Sequence, residues 1–391
     1  MSAEKRIIYA DRAATAPMTA SVRAAMAPYL EEQYGNASAQ HRIGRAASRA
    51  VFDARARIAA VLGCRPGEIY FTSGGTESDN WAVKGTAIAQ GLFSKQSRRR
   101  IHMVTTAIEH PAVLRSMRFL EQCGADVTYV SPDEDGIVSA GAVLGAVRED
   151  TVLAAVMLAN NEIGTIQPVS DIAVALHARG IPLFCDAVQG MGQIPVSVGA
   201  LGADLLSLSG HKLGAPKGIG ILYVRNGIPL APLLDGGGQE ADMRSGTENV
   251  AAIVGLAQAM EDAAACPGVD AVRQVQRRLF DRLLNIPGCI ANGTRETGKR
   301  LCGNVNVSFP GLDAESMVLH LDRAGICCSA GSACHAGKTD PSHVLPAIGR
   351  DADAASSSLR FTFGAELTCD DADAIAAAVA AVVSRLRGLG L

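Results

Sequence analysis

Short continuous apolar runs alternate along this chain with longer stretches in which apolar residues recur at every third or fourth position. Short runs are typical of buried strands, and the longer spacing is typical of amphipathic helices. The strands predicted before residue 230 are 68–72, 101–105, 126–130, 153–158, 181–185, 203–206 and 221–224. The helices predicted before residue 290 are 19–29, 44–62, one through Trp81 and Ile88, 112–123, 139–147, 169–179, 250–264 and 271–284. This alternation predicts an α/β fold with a large, doubly wound, mostly parallel sheet.

The end of the chain has a different pattern. Its predicted strands are 304–309, 326–328 and 359–362, and its predicted helices are 314–322 and 370–386. This mixture is typical of a smaller α+β domain. We therefore expect three parts, with the domain change near Cys266-Pro267-Gly268. The parts are an N-terminal segment (1–16) packed with the small domain, a large domain (17–265) and a small domain (266–391) that contains a mobile loop (329–341).

Composition removes some classes of function. The chain has 391 residues, of which 48% are hydrophobic and 19% are charged, and its net charge is −3. A chain of this balance has no excess of positive charge with which to bind nucleic acid or an anionic membrane. The polar start lacks the pattern of a signal peptide, and no apolar run approaches the length of a membrane span. The ten cysteines show no disulfide framework, so we expect reduced thiols and a cytoplasmic protein.

Polar residues recur where the predicted strands of the large sheet end. Because the carboxyl ends of parallel strands meet at one edge of a sheet, we expect these residues to line one crevice. The residues are Thr76, His110, Asn161, Asp186 with Gln189, and Ser209 with His211 and Lys212.

Lys212 lies in a loop of small residues between two apolar runs. A lysine held out of water there loses its proton more readily and becomes a nucleophilic amine. The alternative is a solvated lysine at a strand end, which is the commoner situation for this residue type. The glycine-led start of the helix at 73–78 can bind a phosphate, although a plain helix capped by Ser73 or Thr76 has the same sequence pattern.

Together these groups form a chemically consistent set. An amine can form an imine with an aldehyde, a neighbouring acid can keep a pyridine nitrogen protonated, an imidazole can stack on a ring, and a helix start can hold a phosphate. This combination matches the requirements of pyridoxal phosphate.

The motifs are specific enough to indicate a family. The chain resembles the cysteine desulfurases of the NifS/IscS type, in the class V aminotransferase group of fold-type-I pyridoxal phosphate enzymes, nearly from end to end. The motifs that carry the resemblance are 71–80 (Phe-Thr-Ser-Gly-Gly-Thr-Glu-Ser-Asp-Asn), 109–110 (Glu-His), 160–164 (Asn-Asn-Glu-Ile-Gly), 186–189 (Asp-Ala-Val-Gln), 209–212 (Ser-Gly-His-Lys), 243–247 (Met-Arg-Ser-Gly-Thr), 331–334 (Gly-Ser-Ala-Cys) and 356–361 (Ser-Ser-Ser-Leu-Arg-Phe).

The resemblance implies a cofactor site. Lys212 would bind pyridoxal phosphate covalently and carry protons, and Asp186 would pair with the pyridine nitrogen. Gln189 would bind the ring hydroxyl, and His110 would stack on the ring and act in proton transfer. The residues implied to hold the phosphate are Gly75, Thr76, Ser209, His211 and, from the other subunit of a homodimer, Thr247. The residues implied to bind the substrate and its carboxylate are Asn161, which also faces the cofactor, Arg360 and Asn36.

The resemblance also implies a reaction. The enzyme would convert L-cysteine to L-alanine, and the catalytic Cys334 would hold the sulfur as a persulfide before passing it to an acceptor protein of unknown identity. The small residues around Cys334 suit a loop that can carry the thiol to the crevice. One alternative is another pyridoxal phosphate enzyme of this fold, namely a selenocysteine lyase, an aminotransferase or an epimerase. Another is a catalytically silent binding partner.

Two further features of the sequence need interpretation. Cys327, Cys328, Cys334 and His335 do not have the usual spacing of a zinc site, so we expect no metal site. Ala241 and Asp242 stand where members of the resembled family usually carry a basic residue and glycine, which indicates a difference at the cofactor rim or at the dimer edge.

Overall fold

The computed structural model describes residues 6–94, 100–264, 268–331 and 342–388. Cys334 and His335 lie outside the described residues, as does most of the predicted loop 329–341.

The described strands and helices follow the predicted alternation. The strands are β1 (Ile8–Tyr9), β2 (Ile69–Thr72), β3 (His102–Thr106), β4 (Asp126–Val130), β5 (Thr151–Ala155), β6 (Leu183–Asp186), β7 (Leu205–Ser209), β8 (Gly220–Val224), β9 (Ile290–Ala291), β10 (Asn304–Ser308), β11 (Ile326–Cys327), β12 (Ser329–Ala330) and β13 (Ser358–Thr362). The helices are α1 (Ala20–Glu31), α2 (Arg42–Leu62), α3 (Gly75–Asn80), α4 (Thr86–Ala89), α5 (Pro111–Gln122), α6 (Ala140–Ala146), α7 (Val169–His177), α8 (Val198–Leu201), α9 (Val250–Ala264), α10 (Val269–Leu284), α11 (Ala314–Arg323), α12 (Val344–Ala347), α13 (Ala352–Ser356) and α14 (Cys369–Gly388). Among the described residues, no helix has both the length and the apolar composition that crossing a membrane requires.

The large sheet has seven strands in the order β2-β8-β7-β6-β5-β3-β4. From β7 to β4 all neighbours are parallel, whereas β8 runs antiparallel to both β7 and β2. Parallel strands need crossover helices on both faces, which accounts for the buried, Val/Ile/Leu-rich strands. The fold is therefore the expected α/β class with a mostly parallel sheet, and its carboxyl edge collects the ends of β3, β5, β6 and β7.

A second sheet belongs to the C-terminal part. Its four antiparallel strands lie in the order β12-β13-β10-β9. A separate apolar cluster that includes Phe309, Leu321 and Val379 covers this sheet, and it draws residues from 272–386 together with Ala10. However, Val344, Leu345, Ile348 and Ala355 pack in the core of the large sheet, so this stretch contacts both parts. The predicted domain limits stay a prediction.

The N-terminal segment joins the two parts. β1 pairs in parallel with β11, and the Arg12 amide donates to the carbonyl of Thr362 at the end of β13. A few residues later, the Ala16 amide donates to the carbonyl of His211, next to Lys212. Residues 8–16 therefore place the small sheet against the turn that carries the lysine.

The structure corrects some local expectations. β7 continues to Ser209 instead of ending at 206, and Lys212 lies in a tight helical turn directly after it. The helix start at 73–78 is not capped by Ser73 or Thr76, because Gly74 is the N-cap and the helix begins at Gly75 without a side-chain cap. The capped-helix alternative was therefore wrong.

The tract that departs from the family pattern has an unusual backbone. Glu240, Ala241 and Asp242 have φ values of 50°, 57° and 63°, in the left-handed region that residues with a Cβ atom disfavour. Glu240 fixes the tract to β2, because its carboxylate accepts hydrogen bonds from the Arg55 guanidinium at 2.6 and 2.8 Å and from the Phe71 amide at 2.8 Å. This ion pair and backbone bond offset the unfavourable dihedral angles.

Glycine at position 241 should therefore stabilise the protein. Relief of a left-handed alanine should raise the free energy of unfolding of Ala241→Gly by about 0.5–1 kcal/mol. The matched control is Ala46→Gly in the exposed face of α2, where the same change should lower the free energy by about 0.5–1 kcal/mol. The measurement is denaturant unfolding of both variants. Equal signs for the two substitutions would contradict the role of backbone strain.

Candidate active site

A cavity of about 560 Å³ lies at the carboxyl edge of the large sheet. It brings together every polar residue that was expected at a strand end. The predicted site residues that line it are Gly75, Thr76, His110, Asn161, Asp186, Gln189, Ser209, His211, Lys212 and Arg360. The cavity is thus built from the ends of β6 and β7, the starts of α3 and α5, the segment after β5, the N-terminal segment, and Arg360 of the small sheet.

One end of the cavity suits an anion. α3 begins at Gly75 and continues through a wide turn (Trp81–Gly85) into α4, so a long helical run directs its first amide groups at this end. A Cβ atom at position 75 would lie 2.8 Å from Cγ2 of Val188, so only glycine fits there without movement. Burial together with Lys212 and Lys217 lowers the pKa of His211 to about 4. His211 is therefore a neutral neighbour at this end, able to donate a hydrogen bond.

Lys212 is half-buried and held by backbone carbonyls. Its Nζ atom donates to the carbonyl oxygen of Ala13 and, at 2.9 Å, to that of Ala14. Burial lowers the pKa of Lys212 to about 8, and Arg360 acts in the same direction, while Asp11 and Asp186 oppose them. An appreciable fraction of this side chain is therefore a free amine near neutral pH, as a nucleophile requires.

The floor of the cavity is acidic. Asp186 is buried at the end of β6, and its Oδ1 atom accepts a hydrogen bond from the Val188 amide at 3.0 Å. Burial raises the pKa of Asp186 to about 6, although the Val188 amide and Lys212 partly counteract it. His110 is the N-cap of α5, and its Nδ1 atom accepts a hydrogen bond from the Ala112 amide at 3.2 Å.

The far side of the cavity is positive. Arg360, on β13, is 1% exposed, and its guanidinium donates to the carbonyl of Asn161 at 3.1 Å and to Asp11 at 2.9 Å. Its Nε atom has no hydrogen-bond partner among the described residues. A guanidinium with unused donors on a cavity wall can bind a carboxylate in a bidentate manner.

Two predicted residues lie elsewhere in the chain. Asn36 is exposed, does not line the cavity, and accepts a hydrogen bond from the Ser38 amide through its side chain. Thr247 is exposed and lines a neighbouring cavity of about 200 Å³ together with Ser73 and Arg244. Cys334 lies outside the described residues.

The structure adds acidic residues to which the sequence analysis assigned no role. Asp79 lies on α3, lines the cavity and is 1% exposed. Glu109 precedes His110 and is equally buried, and Asp11 pairs with Arg360. An acidic residue on the sheet-facing side of a helix would have been the signal for Asp79, because buried carboxyl groups need a special environment.

Taken together, the cavity offers an amine, a buried acid, an anion-binding helix start and a guanidinium. A ligand that combines an aldehyde, a basic ring nitrogen and a phosphate would find a matching group for each part.

Comparison with known proteins agrees with this chemistry. The family model described as "Aminotransferase class-V" matches residues 8–375. The chain is 43% identical over 391 residues to a protein of Methanosarcina thermophila named cysteine desulfurase IscS. The match covers 100% of this chain and 95% of that protein.

Solved structures agree as well. A structure titled "NIFS-LIKE PROTEIN" has a TM-score of 0.89 and is 35% identical in sequence. The match covers 97% of this chain and 100% of that chain. A structure titled "SspA in complex with cysteine" has a TM-score of 0.80 and is 36% identical in sequence. The match covers 91% of this chain and 98% of that chain. The chain therefore belongs to the class V aminotransferase family and, within it, to the group of the IscS cysteine desulfurases.

Proposed function

We propose that this chain is a pyridoxal phosphate-dependent L-cysteine desulfurase, which converts L-cysteine to L-alanine and holds the sulfur as a persulfide on Cys334. The observation that carries the proposal is that Lys212, Asp186 and Arg360 line one cavity. Relatives named cysteine desulfurase, and a similar structure titled as a complex with cysteine, support the same activity.

The residues present fit pyridoxal phosphate. The Gly75 cradle, which a Cβ atom would fill, and the neighbouring Thr76, Ser209 and His211 suit its phosphate. Asp186 suits the ring nitrogen, Gln189 the ring hydroxyl, His110 the ring face and Lys212 the aldehyde, and Asn161 lies beside them. When bound, the cofactor supplies an electron sink that weakens bonds at the substrate Cα atom.

The protein's own groups then have distinct tasks. As a free amine, Lys212 Nζ can accept the Cα proton of the substrate and return a proton, with His110 as a second proton carrier. Arg360 binds the substrate carboxylate through the donors that Asp11 and Asn161 leave unused. Asn161 positions the substrate beside it, whereas Asn36 is exposed and lies outside this cavity, so it has no assigned contact with the substrate here.

Sulfur transfer is assigned to Cys334. Its thiolate attacks the substrate sulfur, a sulfur–sulfur bond forms, and the carbon–sulfur bond breaks with its electron pair going to the substrate. A proton then completes the methyl group of alanine. Thiol plus L-cysteine gives persulfide plus L-alanine, so the step needs no oxidant. An acceptor protein of unknown identity takes the sulfur from the persulfide.

A homodimer in the cytoplasm completes the proposal. Thr247 is exposed, so it can reach the cofactor phosphate of a second subunit. Every cysteine within the described residues is a free thiol, which supports a reducing compartment.

The first prediction from the proposed function concerns the protonation of Lys212. Burial lowers the pKa of this lysine from 10.5 to about 8, so the reactive amine predominates above pH 8 and is lost as pH falls below it. The rate at which cofactor-free protein recombines with pyridoxal phosphate should therefore rise about tenfold per pH unit below 8 and then level off. Stopped-flow absorbance measures this rate.

Two variants make the test specific. Lys212→Ala should lose the absorbance of the covalently bound cofactor, whereas Lys299→Ala, at an exposed lysine paired with Glu296, should match the parent. A rate that keeps rising to pH 10 would show that burial does not tune Lys212.

The second prediction concerns the nucleophile. Cys334→Ser should keep the cofactor absorbance but form no persulfide, because a hydroxyl is a poor nucleophile toward sulfur. Mass spectrometry after incubation with L-cysteine should show one added sulfur atom on the parent and on Cys369→Ser, which removes an exposed free thiol. Sulfur transfer by Cys334→Ser at the level of the parent would contradict the assignment of Cys334 as the nucleophile. Amino-acid turnover that is insensitive to alkylation of this thiol would favour another pyridoxal phosphate enzyme of the same fold.

The third prediction concerns the substrate carboxylate. Arg360→Gln should raise the KM for L-cysteine about 10–100-fold, since charge-assisted hydrogen bonds contribute about 1.5–3 kcal/mol. Turnover of cysteamine, which lacks the carboxylate, should change little. Arg350→Gln removes a half-buried guanidinium that binds Asn292 outside the cavity and serves as control. If the KM rises equally for L-cysteine and for cysteamine, Arg360 has a structural role only.

A further inference from the structure

Three carboxyl groups are buried together beneath the cavity. Asp79, Glu109 and Asp186 are 1%, 1% and 5% exposed. They come from three elements, namely α3, the segment between β3 and α5, and the end of β6. The reaction proposed above uses only Asp186.

Asp79 and Asp186 lie close together. One side-chain oxygen of each lies within 4.8 Å of the other and of a ring nitrogen of His110. Ser207, on β7, donates a hydrogen bond to Oδ1 of Asp79 at 2.6 Å. Two carboxylates at such a separation in a buried site repel each other strongly unless cations compensate them.

The surroundings supply few cations. No ion pair within the described residues includes Asp79, Glu109 or Asp186. The Nδ1 atom of His110 accepts a backbone hydrogen bond from the Ala112 amide, so that nitrogen presents no N–H group to the acids. Lys212 acts on Asp186, and the acids Asp186 and Glu109 are the charged neighbours that act on Asp79.

Glu109 shows the same shortage of partners. Its Oε1 atom accepts hydrogen bonds from Thr106 at 2.7 Å and from the Met157 amide at 2.9 Å, but Oε2 has no partner among the described residues. A carboxylate with one bare buried oxygen is costly, whereas a protonated carboxyl group carries no charge.

From this geometry we propose that Asp79 is a neutral positioning acid: it stays protonated beside Asp186, so that the buried floor of the cofactor site carries one negative charge, located on Asp186. The inference rests on the proposed function, because that single charge is the one that pairs with the ring nitrogen of the cofactor. Asp79 acts on the cofactor through Asp186 and is bound in turn by Ser207.

The protonation equilibria agree with this distribution. Burial, Asp186 and Glu109 raise the pKa of Asp79 well above its usual range, and the bond from Ser207 opposes them only in part. Burial raises the pKa of Glu109 to about 8, whereas that of Asp186 rises only to about 6. Near neutral pH, Asp186 is therefore the ionised member.

The test reads the proton directly. Cofactor-free protein with carbon-13 in its aspartate carboxyl groups should show, near neutral pH, the infrared carbonyl band of a protonated aspartic acid. Asp79→Asn should remove this band, and Asp186→Asn should leave it in place. Absence of the band in the parent would overturn the proposal, and this outcome requires no variant to fold.

The bound cofactor supplies a second readout. An amide replaces a neutral acid without loss of charge, so Asp79→Asn should keep the pH midpoint of the cofactor absorbance within about 0.3 unit and its affinity within about threefold. Asp79→Ala should weaken the affinity about tenfold, because Asp186 loses its neighbour. A midpoint displaced by about one unit or more in Asp79→Asn would mean that Asp79 carries a charge. If the parent takes up no pyridoxal phosphate, the proposed function fails while the infrared result still decides the state of Asp79.

Discussion

The desolvation of one amine governs the arrangement of this site. In the proposed function Lys212 must be uncharged to react, yet a lysine in water holds its proton far above neutral pH. The turn after β7 and the N-terminal segment remove it from water, and the carbonyls of Ala13 and Ala14 fix its Nζ atom. Burial and Arg360 lower the pKa, whereas Asp11 and Asp186 hold it at about 8. The pKa of Lys212 is therefore set by opposing charges, so the other charged groups of the cavity influence its reactivity.

Those groups are separated along the cavity. The helix start at Gly75 offers the positive end of its dipole, Asp186 offers a carboxyl group on the floor, and Arg360 offers a positive charge on the far wall. A ligand with an anionic phosphate, a cationic ring and an anionic carboxylate meets the opposite sign at each point. Because the helix start, the end of β6 and β13 are rigid elements, the pattern is fixed before any ligand arrives, which lowers the entropic cost of binding.

The sequence predicts this site well where a local pattern coincides with the topology. His110, Asp186 and Ser209 stand at the ends of apolar runs, and parallel strands force such ends to one edge. Sequence patterns do not predict a site residue whose position depends on packing between distant segments. The carboxyl of Asp79 is buried because α3 lies against β7, and Asp11 matters because β1 pairs with the distant β11. Neither contact has a local signal. β8 also reads as an ordinary strand, since a short apolar run does not reveal its direction.

The N-terminal segment connects Arg360, which binds the substrate carboxylate in the proposed reaction, with Lys212. Asp11 binds Arg360, and Ala13 and Ala14, next along the chain, bind Lys212. In the proposed reaction a substrate carboxylate on Arg360 reduces the positive field that lowers the pKa of Lys212. The amine then holds a proton more firmly. Substrate binding on β13 thus makes Lys212 a stronger base when the Cα proton has to be removed, and this coupling needs no movement of the backbone.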